Sequence, residues 1–547
     1  MSGVGKGTVT ASLGRVLESK GYRTTAIKID PYINVDAGTM NPVEHGEVFV
    51  TVDGDETDQD IGNYERFLEE NIYRDNYMTT GRVYLSVIER ERSLGYGGRC
   101  VEVVPDVPNE VIDRIERAAD KCEADVVLVE VGGTIGEYQN ILFLEAARMM
   151  RQKSPDRVRY ILVSYMPVPP SIGEMKTKPT QYAIRSMMGA GLIPDFVVAR
   201  SEVQIDEPRR HKLSLTCGVP EGCVIGSPNA ASIYEVPLLF EEQHFGDLVL
   251  KTFGLASKKR DGLRDWKKLV SHIRESKDEV KIGVVGKYFS TGNFVLSDVY
   301  ISVLEAIKHA SWAKGKKPVI EWMNAELYEQ NPKALKELLS MDGVVIPGGF
   351  GSRGVEGKIK AIQFCREREI PYLGLCYGMQ LAVVEYARHV LKWKDANTTE
   401  SDENTTHPII HLLPGQEERA EDKKYGGTLR LGSYKCKVQK GTLAYMAYHQ
   451  PIISERHRHR YEFNNVYRKP LEEAGMVFSG VNPDHDLVEI MELPGHPFFL
   501  GVQFHPEFQS RPLHPHPLFM SFLDAAILYK HQKKSGKSLD KKHSKPL

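Results

Sequence analysis

The chain has 547 residues, which is too long for one hydrophobic core, so two or three domains are expected. Its 71 lysines and arginines nearly balance 73 aspartates and glutamates, which argues against nucleic acid as a bulk partner. Seven cysteines without metal-ligand spacing argue against a disulfide framework or a zinc site, and no apolar run approaches the roughly 20 residues that span a bilayer. A cytoplasmic protein without a membrane partner is therefore expected.

The first element is a glycine-rich loop that precedes a predicted helix. Ser2-Gly3-Val4-Gly5-Lys6-Gly7-Thr8 is followed by apolar residues at helical spacing from Val9 to Leu17. Backbone amides of such a loop can hold phosphate, and the lysine adds a positive charge. The strict P-loop pattern is not met, because Gly7 follows the lysine. A tight turn that binds nothing remains an alternative.

Two predicted strands with acidic ends follow. Thr25 to Ile29 is expected to be a strand that ends at Asp30, and Asp125 to Val131 a second one with Glu130 near its end. Ligands gather at that edge of a parallel sheet, where a carboxylate can hold magnesium on nucleotide phosphates. The acidic stretch Glu56 to Asp60 offers another magnesium ligand. A solvated acidic loop is the alternative for any one of these acids.

A lysine-containing loop spans Gly173 to Gln181, and Arg200 and Lys212 add positive charge in the next βα unit. Lysines in a loop with threonine and proline suit a polyphosphate better than lysines on a helix face do. The spacing alone leaves this assignment undecided.

The composition changes near the middle of the chain. Residues 257–279 are dense in charge, and a new apolar strand begins at Val280. We therefore predict an α/β fold with two doubly wound domains, 1–256 and 280–529, joined by a charged linker. The lysine-rich segment 530–547 is expected to be a disordered tail.

Three stretches of the second half indicate nucleophilic chemistry. Gly374-Leu375-Cys376-Tyr377-Gly378-Met379-Gln380 reads as a strand, a sharp turn and a helix that hold a thiol at a helix N-terminus. Gln503-Phe504-His505-Pro506-Glu507 offers an imidazole and a carboxylate that can orient it. Ile346-Pro347-Gly348-Gly349-Phe350-Gly351 can turn backbone amides toward an oxyanion. A buried core cysteine is the alternative for Cys376 taken alone.

These three stretches, in the order in which they occur along the chain, resemble class I glutamine amidotransferases. The resemblance implies that Cys376 is the nucleophile, His505 the base, Glu507 its orienter and Gly349 part of the oxyanion hole. The product is then ammonia.

The whole chain, in turn, resembles the CTP synthase family. The motifs that carry the resemblance are Ser2 to Gly7, Lys28 to Asp36, His45 to Val50, Gly62 to Phe67, Glu130 to Thr134, Lys176 to Gln181 and His457 to Glu462. Members of the family aminate UTP to CTP with ATP and with ammonia from glutamine. The resemblance covers nearly the whole chain.

The resemblance assigns residues to each ligand. For ATP it implies Gly3, Val4, Gly5, Lys6, Gly7, Thr8, Lys28, Asp60, Pro228, Asn229 and Ala230. For UTP, or CTP as inhibitor, it implies Ser2, Glu137, Tyr138, Gln139, Lys176, Thr177, Lys178, Pro179, Thr180, Gln181 and Lys212. For glutamine it implies Gly349, Tyr377, Gly378, Met379, Gln380, Glu400 and Arg460.

The remaining implied sites are smaller. Asp60 and Glu130 would hold Mg2+, Phe350 and Arg419 would belong to the site of the activator GTP, and His45 and Val48 would line an ammonia passage. The resemblance also implies a homotetramer. The chemistry is transfer of the ATP γ-phosphoryl group to O4 of UTP, followed by attack of ammonia at C4 and loss of phosphate.

Three departures from the family pattern stand out. The family has an apolar strand and a Gly-Gly pair before the phosphate loop, so the first strand of the N-terminal sheet is expected to be missing here. Glu137-Tyr138-Gln139 stands where the family often has Asp-Ile-Glu, so CTP inhibition is expected to be altered. Tyr377 stands where leucine is common, and little effect is expected because its backbone is what contributes there.

Two other functions remain open on the sequence. One is another phosphate-loop amidotransferase that amidates a carboxylate, against which Lys176 to Gln181 and the stretch from Ile29 to Gly38 argue. The other is a non-catalytic assembly subunit that lost synthesis together with its first strand.

Overall fold

A computed structural model describes residues 3–259, 261–287, 290–291, 294–295, 297–349, 351–412 and 429–535. The chain forms two compact units, each discontinuous in sequence. The first unit contains residues 1–37 and 60–270, and the second contains 38–59 and 271–547. The short segment 38–59 thus folds with the C-terminal half of the chain.

The elements before residue 279 alternate between helix and strand. The helices are α1 (Lys6–Ser19), α2 (Pro42–His45), α3 (Gln59–Leu68), α4 (Thr80–Arg92), α5 (Val103–Lys121), α6 (Ile141–Lys153), α7 (Lys178–Gly189), α8 (Glu207–Cys217), α9 (Val236–Glu242), α10 (Phe245–Thr252) and α11 (Arg264–Glu275). The strands are β1 (Thr24–Asp30), β2 (Phe49–Val50), β3 (Glu56–Thr57), β4 (Tyr77–Thr79), β5 (Val126–Val131), β6 (Ile161–Tyr165), β7 (Phe196–Ser201) and β8 (Val224–Pro228).

Parallel pairing defines the first unit. One three-stranded sheet has the order β4-β1-β5 and another the order β6-β7-β8, all parallel. Strand β1 is buried along its whole length, as expected for a parallel strand with helices on both faces. Among the described residues, β5 pairs only with β1 and β6 only with β7. The expected absence of a first strand stays a prediction.

Most of the segment predicted as a charged linker is helix α11. Its charged residues face solvent, whereas Trp266, Leu269 and Val270 are buried. The Trp266 indole donates a hydrogen bond of 2.8 Å to the carbonyl of Tyr234, and its ring packs against Phe67. The charge density of this segment is therefore one face of an amphipathic helix.

The second unit contains α2, β2 and β3 together with the elements from residue 279 onward. The helices are α12 (Ile301–Ala313), α13 (Ala325–Gln330), α14 (Val355–Glu367), α15 (Tyr377–His389), α16 (Leu443–Tyr448), α17 (Arg468–Glu473) and α18 (Pro517–Ser535). The strands are β9 (Glu279–Gly286), β10 (Ser290–Thr291), β11 (Phe294–Val295), β12 (Lys317–Asn324), β13 (Gly343–Ile346), β14 (Tyr372–Leu375), β15 (Asn397–Thr398), β16 (Pro408–Leu412), β17 (Arg430–Val438), β18 (Ile452–His459), β19 (Tyr461–Phe463), β20 (Val477–Val481), β21 (Val488–Glu492) and β22 (Phe499–Val502).

A nine-stranded sheet forms the centre of this unit. Its order is β12-β9-β13-β14-β22-β21-β20-β17-β18, and the first five strands are parallel. The apolar residues Val303, Ile307 and Ala310 of α12 are buried in the hydrophobic core of this unit. The carboxyl ends of β9, β13, β14 and β22 meet at one edge, which is where ligands bind in such sheets.

The predicted boundary of the tail at residue 530 is wrong, because α18 continues to Ser535. Lys530 forms an ion pair of 2.8 Å with Asp278, and Lys533 donates to the carbonyls of Leu339 and Met341 at 2.8 and 3.0 Å. These lysines bind groups of the second unit, so their charge did not indicate disorder. Residues 536–547 lie outside the described residues.

None of the helices in the described part of the chain combines the length and apolarity that crossing a membrane requires.

Candidate active sites

In the first unit, the glycine-rich loop lies at the N-terminus of α1, as predicted. Gly5 occupies the N-cap of this helix with a φ of 89°, a left-handed conformation that favours glycine. Lys6 donates from Nζ to the carbonyl of Gly133 at 3.0 Å, which ties the loop to the segment after β5. Burial lowers the pKa of Lys6, although Glu130 opposes the shift.

Gly7 explains why this loop departs from the strict P-loop pattern. A Cβ at Gly7 would lie 2.0 Å from Oδ1 of Asp60, so only glycine fits there. The backbone of the loop therefore approaches the Asp60 carboxylate directly. A glycine after the lysine is a requirement of this packing.

A cluster of three carboxylates surrounds Lys28 beside the loop. The Lys28 ammonium pairs with Asp60, with Glu130 at 3.2 Å and with Asp30 at 3.8 Å. Burial raises the pKa of Glu130, and it raises the pKa of Asp30 to about 6, with Lys28 opposing both shifts. Lys6 also acts electrostatically on the three carboxylates, whose oxygens are the kind of donor that Mg2+ prefers.

A cavity of 280 Å³ adjoins the loop. It is lined by Gly5, Thr8, Val9, Arg200, Ser227, Asn229, Ala230, Ile233 and Val236. The structure thus brings the predicted phosphate loop together with the predicted adenine contacts Asn229 and Ala230. Pro228 lies beside them at the end of β8.

Arg200 is a residue that the sequence reasoning noted but did not place in this site. Its guanidinium donates to the carbonyls of Val4, Ser227 and Pro228 at 3.2, 2.6 and 3.0 Å. It therefore joins the phosphate loop to the end of β8. Its position at the carboxyl end of β7, where ligands bind in parallel sheets, could have indicated that it belongs to this site.

The residues predicted to bind UTP do not meet around one cavity, unlike those predicted to bind ATP. Thr177 and Gln181 are buried and hydrogen-bonded to each other, whereas Lys176 pairs with Glu174 at 2.7 Å. Arg209, which the sequence reasoning missed, pairs with Glu174 at 3.0 Å, and Lys212 is exposed on the same helix, α8. The side chain of Lys178, at the start of α7, is also exposed, as is that of Pro179.

Of the other UTP candidates, Glu137 accepts hydrogen bonds from the Thr134 amide and from Gln139, both at 3.0 Å. Tyr138 between them is 93% exposed. Thr180 is buried and hydrogen-bonded to Ser164. Ser2 lies outside the described residues.

In the second unit, Cys376 occupies the predicted sharp turn between β14 and α15. Its φ of 50° and ψ of −102° are unusual for a residue other than glycine, and its amide is held by the Val502 carbonyl at 2.7 Å. Gly378 permits the turn, because a Cβ there would lie 2.2 Å from the carbonyl of Ile346. The thiol is buried at the N-terminus of α15.

His505 and Glu507 lie at the end of the adjacent strand β22. Nδ1 of His505 lies 2.7 Å from Oε1 of Glu507, and the ring stacks on Phe508. Burial alone would lower the pKa of His505, but Glu507 and Cys376 outweigh burial and raise it to about 10. The imidazolium form is thus favoured beside the thiol, as in a thiolate–imidazolium pair.

Of the residues predicted to bind glutamine, Gln380 and Glu400 form hydrogen bonds at the centre of the second unit. Gln380 donates to the Tyr461 carbonyl at 2.8 Å and to Gln503 at 3.1 Å, and Gln503 reaches Sγ of Cys376 at 3.6 Å. Glu400 accepts from the Gly351 amide at 2.5 Å. Met379 is instead core, and Arg460 is buried immediately after β18. Gln503 was missed although it belongs to the stretch that carries His505.

Tyr377 contributes more than its backbone, contrary to expectation. Its hydroxyl lies 3.4 Å from the Gly351 carbonyl and 3.2 Å from the hydroxyl of Ser401. It therefore joins the glycine loop to the segment that carries Glu400, a contact that leucine could not make.

The segment 38–59 packs within this unit beside His505. Glu56 pairs with Arg458 at 2.9 Å, and Phe49 packs against Phe508 with ring centroids 5.0 Å apart. Val48 of this segment is buried, and His45 lies 3.4 Å from Asp58. Phe350 and Arg419, predicted for the activator site, lie outside the described residues.

Comparison with known protein families identifies the class of each half of the chain. Residues 295–525 match the model of the class-I glutamine amidotransferases, and residues 1–255 match that of the CTP synthase N-terminus. A curated CTP synthase from Pelotomaculum thermopropionicum is 49% identical over 98% of this chain and 98% of its own length. One from Nostoc punctiforme is 49% identical over 96% of this chain and 95% of its own.

The chain therefore belongs to the CTP synthase family. This confirms the predicted α/β fold class and the predicted activity, a ligase that aminates UTP with nitrogen from glutamine. A solved structure titled "Trypanosoma brucei CTPS - glutaminase domain with bound acivicin" shares 38% identity, covers 46% of this chain and 94% of its own, and has a TM-score of 0.42.

Proposed function

We propose that Cys376, His505 and Glu507 split glutamine in the second unit. The observation that carries this assignment is the strained turn that holds Cys376 at the start of α15, with the His505–Glu507 pair just after the neighbouring strand β22. The thiolate attacks the amide carbon, and the imidazolium gives its proton to the leaving nitrogen. Gly349 contributes to the oxyanion hole, and water then releases glutamate from the thioester.

The substrate contacts follow from the charges near the thiol. Glu400 and Arg460 face opposite ends of an amino acid, since a carboxylate suits the α-ammonium and a guanidinium suits the α-carboxylate. Gln380 is held by the Tyr461 carbonyl and by Gln503, so its amide is oriented before substrate enters. The backbone from Tyr377 to Gly378 completes the pocket.

In the first unit, the loop from Gly3 to Thr8 and Lys28 hold ATP, with adenine beside Pro228, Asn229 and Ala230. The cavity that joins Gly5 and Thr8 to Asn229 supports this assignment. UTP, or CTP as a product inhibitor, contacts Ser2, Glu137 to Gln139, Lys176 to Gln181 and Lys212. Arg200 and Arg209 fix the loops around these nucleotides.

Asp60 and Glu130 would hold Mg2+ beside the phosphates. When bound, the ion neutralises charge on the phosphoryl group during transfer. Lys28 pairs with the same two carboxylates, and its positive charge would stabilise the negative charge of the γ-phosphoryl group during transfer to O4 of UTP. Phosphorylation turns O4 into a leaving group, and ammonia then attacks C4.

Several wider properties belong to the same proposal. Ammonia leaves the glutaminase centre along the segment of His45 and Val48, because this segment packs beside His505 through Phe49 and Phe508. GTP activates at Phe350 and Arg419, and CTP inhibits. We place the protein in the cytoplasm as a homotetramer. Four apolar side chains that are exposed on the first unit could take part in contacts between subunits: Tyr138, Ile172, Tyr182 and Ile193.

Cys376→Ala separates the two half-reactions. With ATP, UTP and Mg2+, we expect the variant to lose CTP formation from glutamine by at least about 10³-fold, because the nucleophile is gone. CTP formation from added ammonium salt should stay within about twofold of the wild type. Radiometric or chromatographic CTP assays measure both rates, with Cys436→Ala, another buried cysteine of the unit, as the control. Glutamine-dependent activity in Cys376→Ala would refute the assignment.

A further inference from the structure

A lysine that is buried beside the glutaminase centre has no hydrogen-bond partner among the residues that the structure describes. Lys358 lies on α14 and is 1% exposed, and its Nζ forms no hydrogen bond with any residue in the described part of the chain. It occupies the apolar stripe of the helix, with Val355, Ile359 and Ile362 as neighbours on the same face. Lysine is almost never fully buried unless it is paired.

Its surroundings place the ammonium group beneath the loop expected to form the oxyanion hole. Nζ lies 3.9 Å from the position that a Cβ of Gly349 would take, and 5.5 Å from the ring centre of Tyr377. The ring of Tyr377 supplies a weak cation–π attraction and no lone pair. Within the described part of the chain, the Lys358 ammonium thus lies next to the Gly349 loop with no hydrogen-bonded anion to neutralise it.

The charged and titratable groups facing Lys358 come from three segments of the chain. Lys287 follows β9 and donates to the Gly351 carbonyl at 3.3 Å, Cys376 and Tyr377 form the elbow, and Glu400 follows β15. Burial first and Lys287 next lower the pKa of Lys358 to about 7, while Cys376 and Glu400 oppose the shift. A small change in nearby negative charge therefore decides the protonation of Lys358 near neutral pH.

We propose that Lys358 is a positioning residue of the glutaminase centre, whose buried ammonium favours the Cys376 thiolate and then the oxyanion of the tetrahedral intermediate. This inference rests on the proposed role of Cys376. First the sulfur–carbon bond forms and the carbonyl electron pair moves to oxygen. That pair then re-forms the carbonyl as the carbon–nitrogen bond breaks and the His505 proton goes to the leaving nitrogen. Lys358 makes and breaks no bond. Its positive charge offsets the negative charge that moves from sulfur to oxygen.

The proposal accounts for an otherwise unfavourable residue. An apolar side chain of the same length, such as methionine, would fill the space without the cost of burying an unpaired ammonium. A charge kept in a site of low polarity interacts strongly with an anion a few ångströms away, because little water screens it.

The test compares full-length Lys358→Met with wild type and with Lys360→Met. Lys360 lies on the same helix, but its ammonium donates to the Glu329 carbonyl at 3.1 Å, away from the centre. We expect Lys358→Met to lower kcat for glutamine hydrolysis about tenfold, with KM within about twofold. Ammonia-dependent CTP formation, which needs the folded protein but not the thiol, should be unchanged in both variants.

Two further readouts exclude a merely structural role. In the wild type, Lys358 loses its charge as the pH rises through about 7, so kcat/KM for glutamine should decrease above that pH. This decrease at alkaline pH should be absent in Lys358→Met. The pH at which iodoacetamide alkylates Cys376, followed by peptide mass spectrometry, should shift upward in Lys358→Met. Lys358→Arg keeps the positive charge at every pH. It should therefore also lack the decrease in kcat/KM at alkaline pH, while its activity at pH 6.5 stays that of the wild type.

The proposal is overturned if Lys358→Met hydrolyses glutamine within twofold of Lys360→Met with an unchanged pH profile. It is also overturned if glutamine-dependent and ammonia-dependent synthesis fall together. Cys376→Ala is run in parallel, and if that variant still hydrolyses glutamine, the assignment of the nucleophile fails instead. The two failures are therefore distinguishable.

Discussion

Single side chains set the chemistry of both units through close approach and charge. At Gly7 the backbone passes so close to Asp60 that a Cβ would overlap the carboxylate at 2.0 Å. At Tyr377 a hydroxyl bridges Gly351 and Ser401, where leucine would leave both without this contact. In both places the residue is explained by a neighbour that is distant in sequence.

Gly7→Ala is expected to abolish nucleotide-dependent synthesis while sparing glutamine hydrolysis. The added methyl group must displace Asp60, which pairs with Lys28 next to Glu130, so both the phosphate loop and the carboxylate cluster move. We expect CTP formation from ammonia to fall at least about tenfold and basal glutaminase activity to stay within about twofold.

The matched control is Gly189→Ala in α7, where a Cβ would meet no atom within 4 Å. CTP synthesis assays with ammonium salt and glutamate-release assays measure the two activities. Equal synthesis rates for Gly7→Ala and Gly189→Ala would contradict the proposed phosphate loop.

Among the elements, two segments that look like polar linkers by composition are helices: α11 and the end of α18. Helix α11 buries Trp266 on the face opposite its charges, and α18 ends in lysines that bind specific acceptors. Lys316 and Lys530 hold the pKa of Asp278 below its usual range, so this carboxylate is ionised at neutral pH. Its stabilising contribution is present above its unfolded pKa near 3.8 and is lost as the pH falls through the lowered value.

Truncation after Tyr529 is expected to destabilise the second unit, whereas truncation after Ser535 keeps every described contact of α18. The shorter protein loses the Lys530–Asp278 pair and two hydrogen bonds from Lys533 to backbone carbonyls. Such bonds contribute about 1 kcal/mol each, so Tm should fall by about 2–6 °C. Differential scanning calorimetry of the two truncated proteins measures this difference. Equal Tm values would show that the end of α18 contributes no stability.

In the molecule as a whole, neither folding unit is a single continuous stretch of the sequence. Residues 38–59 lie in sequence between two parts of the first unit but fold with the second. Their anchors are the Glu56–Arg458 pair and a hydrogen bond of 3.0 Å from Arg456 to the Val50 carbonyl. The segment that carries His45 and Val48 is thus fixed to the unit that produces ammonia, and this supports its proposed role as the lining of a passage.

Glu56→Gln tests that role, because it removes the charge of the anchor and keeps its shape. We expect glutamine hydrolysis to stay within about twofold, while the ratio of CTP formed to glutamate released falls below about one half. Ammonia-dependent synthesis should not change. Glu321→Gln, which alters only an exposed pair with Lys281, is the control, and both products are counted in one chromatographic assay. A ratio equal to that of the control would exclude this segment from ammonia transfer.

The sequence by itself determined the fold class, the family and the positions of the elbow, the His505–Glu507 pair and the phosphate loop. These depend on local patterns, namely glycines at sharp turns, apolar strands and residues a few positions apart, which a linear chain displays directly. Even Lys358 left a local signal, a lysine within the apolar stripe of a helix.

Only the tertiary structure decided which distant residues meet. Gly7 faces Asp60, Arg200 joins two loops, Gln503 reaches Cys376, and segment 38–59 packs with a unit more than 200 residues away in the chain. Such contacts depend on how strands order themselves in a sheet and on what then fills the space between elements. Packing of that kind is a property of the whole fold and leaves no pattern in neighbouring residues.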